Sequence, residues 1–146
     1  VAAFALLAVG CKKKDAAPAA TTPPPAAPAP APPVASIGAL ELGRHVGTNQ
    51  RVTDTTSVFA PRDTFYLAVV SENTAPGATL LAKWTFQTGQ TVDSTTQAIA
   101  APAAGEPVSV TGFHLSKASA WPAGKYRVEV WLDGASKGSR EFEVKR

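Results

Sequence analysis

The sequence predicts an all-β sandwich of about seven to eight short antiparallel strands over residues 37–146, and three observations predict it. Apolar and polar residues alternate with period two from Ile37 onward, with no stretch of helical period. Gly, Pro and Asn interrupt that alternation every eight to twelve residues, the spacing of turns in a two-sheet fold. The only cysteine is Cys11, outside this region, so the domain has no internal disulfide and rests on its apolar core. A region of this size is close to the ~100 residues of such a sandwich and is large enough to bury a core.

Ile37–Leu42 reads as the first strand, with Leu40 and Leu42 around Glu41. A weaker strand is expected within Arg51–Phe59. Thr64–Ser71 is apolar on both faces, Phe65, Leu67 and Val69 on one and Tyr66, Ala68 and Val70 on the other, as in a central strand. Asn73–Gly77 turns the chain. Thr79–Gln87 then alternates, with Leu80, Ala82, Trp84 and Phe86 inward and Leu81, Lys83, Thr85 and Gln87 outward. Thr88-Gly89 is the next turn, Thr91–Ile99 a Thr-rich strand, and Ala100–Pro107 a loop. Val108–Leu115 is the sixth strand. Tyr126–Leu132 is the seventh, with Tyr126, Val128, Val130 and Leu132 on one face.

The last hairpin carries an internal conflict. Asp133-Gly134 is a strong two-residue turn signal, and a regular hairpin around it would turn Ala135, Lys137, Ser139 and Glu141 to the core. The apolar residues are instead Phe142 and Val144. Because a one-residue slip reverses every side chain, a β-bulge near Gly138 is expected to restore the register and bury both.

Ahead of the domain the texture is different. Val1–Val9 is an apolar run ending at Gly10-Cys11. It is too short for a bilayer core that takes about 20 helical residues, but it suits the apolar region of a signal peptide. This stretch resembles the lipobox of bacterial lipoproteins, in which cleavage before a cysteine exposes the thiol that is lipidated. Ala8 stands where that family usually has Leu, and a basic n-region is not among these residues. The resemblance implies residues 1–10 as the signal peptide, Cys11 as the lipidation site and the membrane as partner through that lipid. Lys12 rather than Asp after the cysteine implies the outer membrane in a diderm.

From Lys12 to Ser36 the chain is mostly Pro, Ala and Thr with almost nothing large, and it holds eight of the thirteen prolines. Such a segment lacks the apolar surface to fold and favours polyproline II. Its 25 residues reach at most roughly 75 Å. Residues 11–36 are thus read as the lipidated cysteine and a disordered tether, and 37–146 as the domain. Lys12, Lys13 and Lys14 stand either as a supplement to the anchor at anionic headgroups or as a soluble start to the tether.

Within the domain, Gly124-Lys125-Tyr126-Arg127-Val128 resembles the start of strand F in immunoglobulin-like domains. There a small residue precedes a Tyr whose hydroxyl closes a corner. The resemblance implies an immunoglobulin-like or fibronectin-like sandwich with Trp84 as its core Trp. Val128 occupies the place of the disulfide cysteine of antibody domains. Bacterial envelope lipoproteins of unknown function often look like this.

Charge excludes one class of partner. The chain carries net +3, but from residue 37 onward eleven basic residues face ten acidic ones. Arg44, Arg62, Lys83, Arg127 and Arg140 are scattered, so nucleic-acid binding is not expected.

Catalysis is not expected either. Gly134-Ala135-Ser136-Lys137-Gly138 matches G-x-S-x-G, but a nucleophile elbow needs strand, turn and helix, with a histidine later in the chain. Neither condition holds. His45 and His114 lack a metal-ligand spacing, no Gly-rich phosphate loop occurs, and the carboxylates are single. No cofactor is expected.

What remains is surface. Trp131 alternates with Val130 and Leu132 and should stand outside with Arg127 and Glu129, flanked by Lys83 and Thr85 and by Glu141 and Glu143. A Trp among charges can anchor a protein or glycan partner. The plainer alternative is a Trp lying over aliphatic stems or under the tether. The leading expectation is a non-enzymatic lipid-anchored envelope protein whose domain binds a protein or polysaccharide. The rival is a structural spacer or an assembly subunit of a larger envelope complex.

Overall fold

The computed structural model describes residue 31, residues 33–87 and residues 89–146. The expected signal peptide, Cys11, the expected tether over residues 12–30 and at residue 32, and Thr88 lie outside the described residues. The strands are β1 (Ser36–Gly43), β2 (Val58–Phe59), β3 (Phe65–Glu72), β4 (Thr79–Phe86), β5 (Gln90–Ala98), β6 (Val108–Leu115), β7 (Gly124–Leu132) and β8 (Ala135–Val144), and the described residues form no helix. They make a three-stranded sheet, β1-β3-β6, and a five-stranded sheet, β2-β8-β7-β4-β5. All belong to one compact unit, Pro32–Arg146.

β3 is the middle strand of the smaller sheet, as its two apolar faces require, and Phe65–Val70 is buried at every position but Tyr66. Phe65, Leu67 and Val69 point into the sandwich. On the outer side the 44–55 segment folds back over the sheet. Arg51 forms an ion pair with Glu41, whose Oε2 also accepts the Val52 N–H, and Gln50 Oε1 accepts the Gly112 N–H. This segment corrects the expected strand over Arg51–Phe59. Only Val58–Phe59 is a strand, and it pairs parallel to β8. The rest makes two isolated bridges, Gly43 with Thr55 and Val46 with Val52. Its polar residues are taken up by loop contacts instead of a ladder.

Across the sandwich, Leu80, Ala82 and Trp84 of β4 and Val128, Val130 and Leu132 of β7 face the core, with Phe86 partly buried against it. The aromatic centre is built on Phe65, which stacks on Trp121 at 4.9 Å and meets Phe59 and Phe142 edge-on, each at 4.8 Å. Trp121 lies in the loop before β7, where no alternation announces its burial. Its Nε1–H donates to Asp63 O at 3.0 Å, which satisfies the polar end of a large buried ring.

The Tyr126 hydroxyl donates to Pro122 O, four residues upstream, at 2.9 Å. This closes the corner where the loop enters β7. Burial holds the phenol's pKa above its ordinary value. Asp133 and Gly134 take positive φ of 48° and 82°, the values a type I′ turn demands. Past the turn, Trp131 pairs with Ser136 while Val130 pairs with Gly138, so Lys137 is the bulged residue. The bulge buries Phe142 and Val144.

Candidate outer-face binding site

Alternation along β4, β7 and β8 builds one solvent-facing surface on the five-stranded sheet. Leu81 lies across from Trp131, Lys83 from Glu129, and Thr85 from Arg127. On the other side of β7, Arg127 faces Glu141 and Lys125 faces Glu143. Lys83, Arg127, Glu129 and Trp131 are therefore neighbours on one face. It is the face opposite Val128 and Val130, because side chains on a strand point alternately to its two sides.

Hydroxyls of β8 hold this face more than cross-strand ion pairs do. Arg127 Nη2 donates to Ser139 Oγ at 3.0 Å, and Ser136 Oγ donates to Glu129 Oε1 at 2.7 Å. Neither Lys83 with Glu129 nor Arg127 with Glu141 closes to ion-pair distance. Trp131 is half-buried, and its Nε1–H is shielded from solvent and has no hydrogen-bond partner among the described residues. Trp131 stands on the outer face across from Leu81, partly buried there.

A groove of about 560 Å³ runs along the Arg127 end of the face, lined by Thr85, Gln87, Lys125, Arg127, Glu141 and Glu143, with Ser57 and Val58 closing one wall. Glu143 is paired with Lys145 at 3.1 Å. The groove is polar and mixed in charge, and its floor is the sheet itself. Lys125 follows from the same odd-numbered alternation as Arg127 and could have been read from the sequence. Ser57 and Val58 could not, because they reach the groove through the parallel pairing of β2 with β8.

No family model and no curated protein matches the chain. Among solved structures it is similar to an immunoglobulin-like protein from Pseudomonas aeruginosa, with a TM-score of 0.53 at 16% identity, over 79% of this chain and 99% of that one. The buried Trp84, the Tyr126 corner and this likeness agree. The domain is an immunoglobulin-like β-sandwich. The chain also resembles part of an alkylpurine DNA glycosylase from Pseudomonas fluorescens (TM-score 0.48, 19% identity, 77% of this chain and 30% of that one). A third likeness is to part of a β-glucosidase from Listeria innocua (TM-score 0.42, 13% identity, 74% and 16%). Likeness at these identities speaks to fold, and fold does not carry function.

Elsewhere on the immunoglobulin-like domain, Arg44, His45, Arg62, Asp63 and Tyr66 line a smaller cavity of about 300 Å³. Arg44 Nε and His45 Nδ1 both approach Asp54 Oδ2, at 3.2 and 3.7 Å. His114 is exposed and 6.2 Å from the Tyr66 ring. Among the described residues no three His, Cys, Asp or Glu side chains gather as metal ligands. Ser136 of the G-x-S-x-G sequence lies in β8 with its hydroxyl on Glu129, between two strands of a hairpin.

Proposed function

We propose that this chain is a non-enzymatic, lipid-anchored envelope protein whose immunoglobulin-like domain engages a protein or polysaccharide partner through the outer face of its five-stranded sheet. The observation that carries the reading is the clustering of Trp131, Arg127, Glu129 and Lys83 beside a polar groove. It is a contiguous surface with one partly buried Trp and with charges that pair with no opposite charge among the described residues. Aromatic and Arg side chains dominate binding hot spots, and mixed polar rims supply orientation. The lipobox resemblance at Cys11 supports the anchor, and Lys12 supports the outer membrane.

The test is capture from a detergent extract of the source envelope, with the full chain as bait. The reading expects a protein or glycan retained by the wild-type chain and lost with Trp131→Ala and Arg127→Glu, each variant shown by its unfolding midpoint to be folded at the capture temperature. Retention that ignores both substitutions would place the binding elsewhere.

A further inference from the structure

We infer that the β5 edge is a self-association surface, on which a second copy of this chain adds its own β5 antiparallel and joins two five-stranded sheets into one.

The inference comes from how differently the sheet edges are treated. An unpaired edge is a row of free N–H and C=O groups that templates pairing, and proteins ordinarily blunt it. The β1 edge is blunted along its second half: Arg140 Nε donates to Leu40 O and the Thr56 N–H to Leu42 O, and just past the strand the Arg44 N–H donates to Asp54 O. The β6 edge is plugged at Gly112, whose N–H donates to Gln50 Oε1 and whose carbonyl accepts from Gln97 Nε2. β2 is only two residues long. β5 is nine residues long, lies at the end of the larger sheet, and has neither Pro nor Lys along it.

The ladder alternation shows which groups are free. The Ile99 N–H donates to Ala78 O, so in an antiparallel pair the odd-numbered residues before it bond inward to β4. Ser94, Thr96 and Ala98 then direct their N–H and C=O outward, and among the described residues nothing caps them. The bulge at Val92 between Trp84 and Thr85 ends this flat stretch on one side.

A second copy fits this edge chemically. A two-fold axis at Thr96 sets Thr96 against Thr96 and Ser94 against Ala98, with about six backbone hydrogen bonds in the new ladder. Small hydroxyl and methyl side chains face each other, a pairing that strands favour. Asp93 is the only charge on β5, and in this register it does not meet its own copy. The axis is perpendicular to the sheet, so both Trp131 faces look the same way. The association itself does not depend on what that face binds.

The experiment is sedimentation equilibrium on the full chain carrying Cys11→Ser, which removes the thiol as a source of disulfide dimers, from about 1 μM to about 1 mM. The expected result is a concentration-dependent dimer that Thr96→Pro weakens at least tenfold. Proline at an outward position removes a free N–H and leaves the β4 ladder intact, so the variant's far-UV spectrum and thermal midpoint should match the parent's. Should Thr96→Pro fail to fold, Thr96→Lys replaces it, since a charge doubled at the axis gives the same loss. Trp131→Ala should leave the dimer unchanged. A monomer at every concentration, a dimer indifferent to both Thr96 variants, or one abolished by Trp131→Ala would each overturn the inference.

Discussion

Trp131 lies directly across from Leu81 on the outer face of the five-stranded sheet, while Trp84, three residues beyond Leu81 on the same strand, pairs with Val128 on the inner face. The two indoles share a sheet and point to opposite sides of it. Both have an Nε1–H that is shielded from solvent and lacks an acceptor among the described residues.

Their replacement should separate accordingly. Trp84→Ala removes a ring that is 1% exposed and should cost ~3–5 kcal/mol, a large share of a total of ~5–15 kcal/mol. Trp131→Ala should cost about 1–2 kcal/mol, the loss of its cover over Leu81. Trp84→Phe should be much milder than Trp84→Ala, because it keeps ring volume and removes an unpaired buried N–H. Denaturant midpoints check the order; a Trp131→Ala loss equal to that of Trp84→Ala would contradict the register of β7.

Tyr126→Phe deletes the hydrogen bond to Pro122 and should cost ~1 kcal/mol at neutral pH. It should also change the alkaline limb of the stability curve. The phenol's pKa is raised in the folded state, so the folded chain holds the proton that the unfolded chain begins to release near its ordinary pKa of 10.0. Stability from this group is fully present below that pH and is lost as pH rises through the folded pKa. The variant should therefore lose less stability than the parent between about pH 9 and about pH 11. Parallel curves for the two proteins would remove Tyr126 as the cause.

Gly43 ends β1, where the chain turns into the segment that covers the outer side of the three-stranded sheet. A Cβ there would run into the Asp54 backbone carbonyl and the Val52 side chain. Gly43→Ala should cost ~1–3 kcal/mol and detach the 44–55 segment, seen as faster amide exchange at Thr53 and Thr56, whose N–H groups donate to His45 O and Leu42 O. Exchange unchanged at both amides would show that the segment is not held through Gly43.

Cys11→Ser should abolish lipid attachment and leave the chain uncleaved or soluble. Stable anchoring takes two or more acyl chains at ~0.8 kcal/mol per buried CH₂, and serine offers no thiol for them. Membrane fractionation with mass analysis of the N-terminus checks it. A mutant still processed and still membrane-bound would refute the lipobox reading.

Local chemistry by itself determined much of this domain. Period-two alternation in Thr79–Gln87 and Tyr126–Leu132 assigned the inner and outer faces of β4 and β7, because a strand has only two sides. Asp133-Gly134 and the misplaced Phe142 and Val144 required a bulge, because a hairpin's register follows from its turn. The same alternation put Lys83, Arg127, Glu129 and Trp131 outside together. Tertiary structure alone decided what depends on partners distant in sequence. Trp121 is buried because the loop before β7 folds onto Phe65. Residues 51–57 are not a strand because their polar groups bond to Glu41, Leu42 and β8. Ser57 and Val58 wall the groove only because β2 runs parallel to β8. Which edges are closed was equally hidden: Arg140 reaches Leu40, and Gln50 and Gln97 meet at Gly112, across separations that no local pattern records. Alternation tells a residue which side to face, but only the packed sheets determine what it meets there.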